Sequence, residues 1–247
     1  MLLDFLKAVY ESHNLEEVWD LHCRTMAEYG FPRLIYGNTH YTTPNSPTGP
    51  REDSLFLSNH DPGYFKRFIE DGLYAHAPMI RWARDCTGSC SWSYVRSIMD
   101  DLTAAERAVL EVNREFGVTA GYTICFAEGT TRAKGVISLA GPAGAEQGEI
   151  DRIWDHHGRE IEAMNNVVHL KILSLPHDKV MPRLSDRQRE VLEWIGDGKT
   201  NQDIATILGV KTATVEKHLR LAREKLGVET TAQAVLKATF LNQIYTF

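Results

Sequence analysis

The sequence predicts an α+β chain. An N-terminal α-β-α sandwich with an antiparallel sheet precedes a C-terminal all-α module of four helices. Three observations carry this. Over residues 1–175, helical apolar spacings alternate with apolar runs of strand length. From Leu184 onward only helical signals remain. Between them Pro176 and Pro182 flank a polar interval. The predicted division is 1–173, a linker over 174–183, and 184–247.

In chain order, Leu2, Leu3, Leu6, Val9 and Tyr10 fall near one face of a first helix. Asn14 caps a second, with Glu17 at its third position and Gly30 as its stop. Leu34, Ile35 and Tyr36 mark a strand over 33–41, and Leu55–Leu57 a short one. The three prolines of 43–52 require a loop. Asp61-Pro62 opens a helix that ends at Gly72. Thr103 and Glu106 form a capping box. Behind it, Ala105, Val109, Val112 and Phe116 make a stripe that stops at Gly117. Residues 120–128 and 134–140 form a hairpin around Glu128-Gly129-Thr130. A long helix covers about 146–173.

The 247 residues are 43% apolar and 24% charged, which excludes a disordered chain. No stretch approaches the roughly 20 apolar residues of a membrane span. The acidic, unbasic start lacks a secretory signal, and Cys23, Cys86, Cys90 and Cys125 show no Cys-x-x-Cys pair. The expectation is a cytoplasmic chain with reduced thiols and no metal or cofactor. His156-His157 point about 100° apart on a helix and do not face one metal. No catalytic constellation occurs. Gly196-Asp197-Gly198-Lys199-Thr200 has Glu193 where a P-loop needs glycine, and a helix precedes it instead of a strand. Net charge is −6 overall, but −8 over residues 1–175 and +2 over 176–247. That asymmetry suits a small nucleic-acid module joined to an effector module.

In the C-terminal module Ser185 caps the first helix, and Val191, Leu192 and Ile195 are core positions. Ala205, Gly209 and Val215 have helix-turn-helix spacing: a small residue at a crossing, a turn glycine and a core anchor. Thr212 is the expected cap of the next helix. Its Val215, Leu219, Ala222 and Leu226 share a buried face with Ile204 and Leu208. Thr214, Lys217, Arg220 and Leu221 lie opposite. Such a helix fits the DNA major groove. Lys217 and Arg220 are the expected base-reading residues, with Thr214 a further DNA-binding candidate on the same face; Lys199, Thr200, Asn201, His218 and Arg223 are expected to hold phosphates and set register.

The run Leu184–Trp194, with Gly198-Lys199-Thr200-Asn201, Thr214-Val215-Glu216-Lys217-His218 and Lys225-Leu226-Gly227-Val228, resembles the DNA-binding domain of LuxR-type regulators. Gln188 departs from that pattern. The resemblance implies homodimers paired through the last helix, about 231–243, by a strip of Val235, Ala238 and Leu241. It also implies a near-palindromic operator.

Trp92 and Phe116–Ile124 resemble the autoinducer-binding domain of quorum-sensing LuxR-type receptors, with Gly121 at the pocket-adjacent glycine. The implied signal is an acyl-homoserine lactone or a related apolar molecule. Tyr64, Phe68 and Ala77 stand where the family's lactone receptors hold a tryptophan, a tyrosine and an aspartate. Neither Phe68 nor Ala77 offers a hydrogen-bonding side chain. The aromatics Tyr36, Tyr64, Phe68, Tyr74, Trp82, Trp92, Tyr122 and Phe126 line a pocket or simply fill a core. Two readings remain: a ligand-responsive DNA-binding regulator, or a DNA-binding regulator whose N-terminal domain is a ligand-independent dimerisation or protein-interaction module.

Overall fold

The computed structural model describes residues 2–39, 42, 48, 54–130, 132–175 and 183–245. Most of the expected loop 43–52 and of the expected linker lies outside them. The chain divides into two compact units, Met1–Lys171 and Ile172–Phe247.

In the first unit, α1 (Leu2–Glu11) buries Phe5 and Val9, while Leu3 and Tyr10 stay exposed. Asn14 caps α2 (Leu15–Glu28), its side chain accepting from the Glu17 N–H at 2.9 Å. Gly30, at φ +96°, turns the chain into the sheet. The strands are β1 (Arg33–Thr39), β2 (Ser54–Ser58), β3 (Gly88–Ser91), β4 (Gly121–Cys125) and β5 (Lys134–Ala140). They are antiparallel in the order β2-β1-β5-β4-β3. The expected hairpin is the β4–β5 pair, with Gly121 opposite Ala140 and Cys125 opposite Val136.

Period-two alternation splits the sheet into two faces. On one, Tyr122 stacks on Trp154 with ring centroids 3.9 Å apart, and Tyr36 meets His169. Both partners belong to α7 (Gln147–Ser174). The opposite face is covered by α3 (Pro62–Phe65), α4 (Pro78–Asp85), α5 (Ser93–Ser97) and α6 (Ala104–Glu115). Helix α3 starts as expected at Asp61, but widens to a π-turn over Lys66–Glu70 before Gly72 ends it at φ +81°. Thr103 and Glu106 close their capping box. Ala105 is exposed and Glu106 is buried, because its carboxylate also pairs with Arg81 at 3.0 Å.

The second unit contains α8 (Asp186–Gly196), α9 (Asn201–Leu208), α10 (Thr212–Leu226) and α11 (Thr231–Phe240). Their core joins Val191, Leu192, Ile204, Val215, Leu219, Ala222 and Leu226. Gln188 closes the Ser185 capping box, accepting from the Ser185 N–H at 2.8 Å. Gly209, at φ +64°, makes the turn before α10. Thr212 is the first helical residue, not the cap; its hydroxyl donates to Gln202 Oε1 at 3.1 Å. The expected pairing strip is corrected. Ala238 lies fully buried beside Ala234 in this unit's own core, and Val235 and Leu241 pack against it. Leu236 is the large apolar residue that α11 leaves exposed.

His22 joins α2 to α7, its Nε2 lying 3.0 Å from Asn165 Oδ1. Burial lowers its pKa from the ordinary 6.5 to about 4, outweighing the Asn165 bond, which acts the other way. The unfolded chain therefore takes up a proton that the folded chain refuses. Stability is full above about pH 6.5 and declines as pH falls toward 4. Urea unfolding at pH 7 and pH 5 is expected to show a loss of about 1–2 kcal/mol from this group. The His22→Gln variant should lose correspondingly less over that interval; equal losses would exclude His22 as the source.

Candidate ligand cavity and nucleic-acid interface

Between the sheet and α3–α6 lies a cavity of about 370 Å³. That is within the usual range for small-molecule sites, about 300–1,000 Å³. Ile35, Gly37 and Thr39 from β1, and Lys134, Val136 and Ser138 from β5, form its sheet side. Phe56, Tyr64, Phe68, Ile69, Tyr74, Ala77, Met79 and Trp92 give it a mainly apolar wall.

Of the expected ligand residues, Tyr64, Phe68, Ala77 and Trp92 come together here. Tyr64 and Phe68 stack, with centroids 5.2 Å apart, and His60 also stacks on Tyr64, at 4.8 Å. Burial lowers His60 to a pKa of about 4, with the Arg33 guanidinium acting in the same direction, so its imidazole is neutral at pH 7. The two polar handles are already engaged. The Trp92 indole N–H donates to Thr123 Oγ1 at 2.9 Å, and Thr123 Oγ1 lies 3.0 Å from Ser138 Oγ. The Tyr64 hydroxyl donates to Asn113 Oδ1 at 2.9 Å.

Gly121 does not line the cavity; it positions the wall. A Cβ there would sit 2.3 Å from the Leu139 carbonyl oxygen and 2.9 Å from the Trp92 ring. Its backbone is fastened by Gln147, whose Oε1 accepts from the Gly121 N–H at 2.9 Å and whose Nε2 donates to the Gly121 carbonyl at 3.1 Å. Gln147 Nε2 also reaches Ser91 Oγ and Asp151 Oδ1.

Tyr36 is corrected: it is not in the cavity. Strand parity sends it to the α7 face, where its hydroxyl lies 2.9 Å from His169 Nδ1. His169 Nε2 in turn lies 3.2 Å from Glu128 Oε1. Phe126 stacks on His169 at 4.0 Å, and Tyr122 on Trp154, so both are core residues of that face. Tyr74 lines the cavity; Trp82 is not among its lining residues. Arg33 had no sequence signal. Its guanidinium donates to the carbonyls of Phe116, Gly117 and Gly141, tying the end of α6 to β1.

In the second unit, Asn201, Lys217, Arg220 and Arg223 line one shallow concavity with Ala213 and Glu216. Lys217 and Arg220 are exposed on α10. Arg220 pairs with Glu224 at 2.5 Å, and Arg223 donates to Thr231 Oγ1 at 3.0 Å. Thr214 and His218 are half-buried on its flanks, and Leu221 is half-buried too. Lys199 is exposed, while Thr200 caps α9 and exchanges hydrogen bonds with Asp203. Lys199, Thr200, Thr214, His218 and Leu221 are not among the residues lining the concavity. Among the described residues no group of three His, Cys, Asp or Glu is suited to hold a metal. His156 and His157 are exposed. No helix among the described residues is long and apolar enough to cross a membrane.

Residues 14–172 match the autoinducer binding domain family, and residues 182–238 match the luxR family of bacterial regulatory proteins. Relatives include the transcriptional activator protein AnoR of Acinetobacter nosocomialis, 25% identical with 96% of each chain covered. Another is the quorum sensing-dependent transcriptional regulator RpaR of Rhodopseudomonas palustris, 29% identical over 77% of this chain and 75% of that one. Among solved structures, Escherichia coli SdiA in complex with octanoyl-rac-glycerol superposes with a TM-score of 0.57 at 19% identity, covering 97% of this chain and 93% of that one. At these identities the structural likeness supports the fold.

Gly121→Ala is expected to destabilise the protein by about 1–3 kcal/mol, because the Leu139 carbonyl and Trp92 ring must both move. Thermal unfolding checks this. A variant as stable as the parent would mean that the Gly121–Trp92 approach is not a constraint.

Proposed function

The chain belongs to the LuxR family of bacterial regulatory proteins and carries an autoinducer-binding domain, and on that premise we propose that the 370 Å³ cavity is where its signal molecule binds. It is a DNA-binding transcription regulator. In the proposed mechanism, an acyl-homoserine lactone or a relative enters the apolar space beside Tyr64, Phe68 and Trp92. Ordering these walls stabilises the folded form by mass action and so sets the amount of DNA-binding protein. The observation that carries this reading is the cavity itself, where a plain interaction module would have a filled core. Ala77 supplies no acceptor, and the Trp92 and Tyr64 donors are satisfied within the protein. A ligand head therefore bonds to other groups or through water.

The protein acts in the cytoplasm as a homodimer, with α10 in the major groove of each half of a near-palindromic operator. Lys217 and Arg220 face base edges. Asn201 and Arg223 contact phosphates, assisted by Lys199, Thr200, Thr214 and His218.

On DNA selected by the protein from genomic fragments, Lys217→Ala and Arg220→Ala are each expected to weaken specific binding by about 1–3 kcal/mol. Arg223→Ala should weaken specific and non-specific binding alike and lower the salt slope by about one. Gel-shift titrations across salt test this; three variants with parental affinity would remove α10 from the groove. Sedimentation of the DNA complex is expected to find two protein chains, and one chain bound at full affinity would refute the dimer.

A further inference from the structure

We propose that the cavity selects an amphipathic anion: an acyl chain in its apolar interior and a carboxylate at its cationic rim. This rests on the reading of the cavity as the signal site and specifies the chemical class of the signal.

The argument is one of charge and position. Four cationic residues line the cavity, Arg84, Arg96, Arg114 and Lys134, and no aspartate or glutamate is among its described lining residues. Composition does not produce this. Over residues 1–175 acids outnumber bases by three to two. Arg84, Arg96 and Arg114 are exposed, so they occupy the solvent edge, and Lys134 is half-buried on β5.

Two acids near this rim, Glu115 and Glu106, are committed elsewhere. Glu115, next to Arg114, pairs with Arg67 at 2.5 Å. Glu106 pairs with Arg81 and closes the α6 cap. Arg84 has its neighbour Asp85 at 3.1 Å. Among the described residues Arg96 and Arg114 have no salt-bridge partner. Two cations at the edge of an apolar cavity, without a protein counter-charge among the described residues, complement a ligand that brings the charge itself. Arginine's planar fork matches a carboxylate in two parallel hydrogen bonds. Ala77 fits the same logic: a carboxylate there would repel such a ligand, and none is present.

N-octanoyl-homoserine and its lactone share the acyl chain and the amide; opening the ring adds one negative charge and a hydroxyl. Calorimetric titration of the full chain is expected to give roughly tenfold tighter binding of the open, anionic form at low salt. That preference should shrink as salt rises, because the rim is exposed. In the Arg96→Gln/Arg114→Gln variant, whose surface changes leave the melting temperature as the folding check, anion affinity should fall to that of the lactone. Lactone binding as tight as or tighter than the anion overturns the proposed selectivity while leaving the cavity a ligand site. Binding of neither at millimolar concentration overturns the cavity reading itself, and this proposal with it.

Discussion

The architecture around the cavity rests on one missing side chain. At Gly121 the Leu139 carbonyl and the Trp92 indole approach so closely that no Cβ fits between them. That approach lets the Trp92 ring come close to β4 and direct its N–H to Thr123, and Thr123 meets Ser138 on β5. From the other side Gln147 grips both polar atoms of the Gly121 peptide. A single carboxamide therefore registers the start of α7 against the strand that carries the cavity wall. The two faces of the sheet then diverge in character. Toward α7, stacked aromatics and a Tyr36–His169–Glu128 chain fill the space. Toward α3–α6, space is left over. Proteins pack their interiors to crystal density. An unfilled volume on this face, lined by aromatic walls, is a feature that a binding function explains.

The polar inventory of that volume separates its walls from its rim. Trp92 and Tyr64 use their donors inside the protein, so they fix geometry rather than wait for a ligand. His60 is held neutral by burial and by Arg33. Among the described lining residues, charge is confined to arginines at the solvent edge and to Lys134. Apolar contact thus sets how deep a ligand sits, and electrostatics at the edge set which head group is favoured. In the second unit the division of labour is similar. Val215, Leu219, Ala222 and Leu226 lock α10 into the core, and the same helix turns Lys217 and Arg220 outward.

Much of this was legible in the sequence because caps, periodicity and turn glycines are local. Asn14, Thr103 and Ser185 each place their helix, and the Glu128-Gly129-Thr130 turn places the hairpin. Four features were not legible, each for a non-local reason. The edge strand β3, Gly88-Ser89-Cys90-Ser91, has no apolar alternation and exists because β4 pairs with it. The side of the sheet taken by Tyr36 depends on which face α7 covers. Gln147 and Arg33 act through backbone carbonyls and amides far away in sequence, which no spacing rule reports. On α11, Ala238 looks outward as part of a strip, but α8 and α10 pack against the helix and take Ala234 and Ala238 into the core.

The central claim is that the space between the sheet and α3–α6 is occupied by a small molecule when the regulator works. Native mass spectrometry of the chain purified from its own host tests this most directly. The account predicts a protein mass raised by one small organic molecule, which is released on denaturation. A bare polypeptide mass from protein that is stably folded and binds its DNA at full affinity would contradict it.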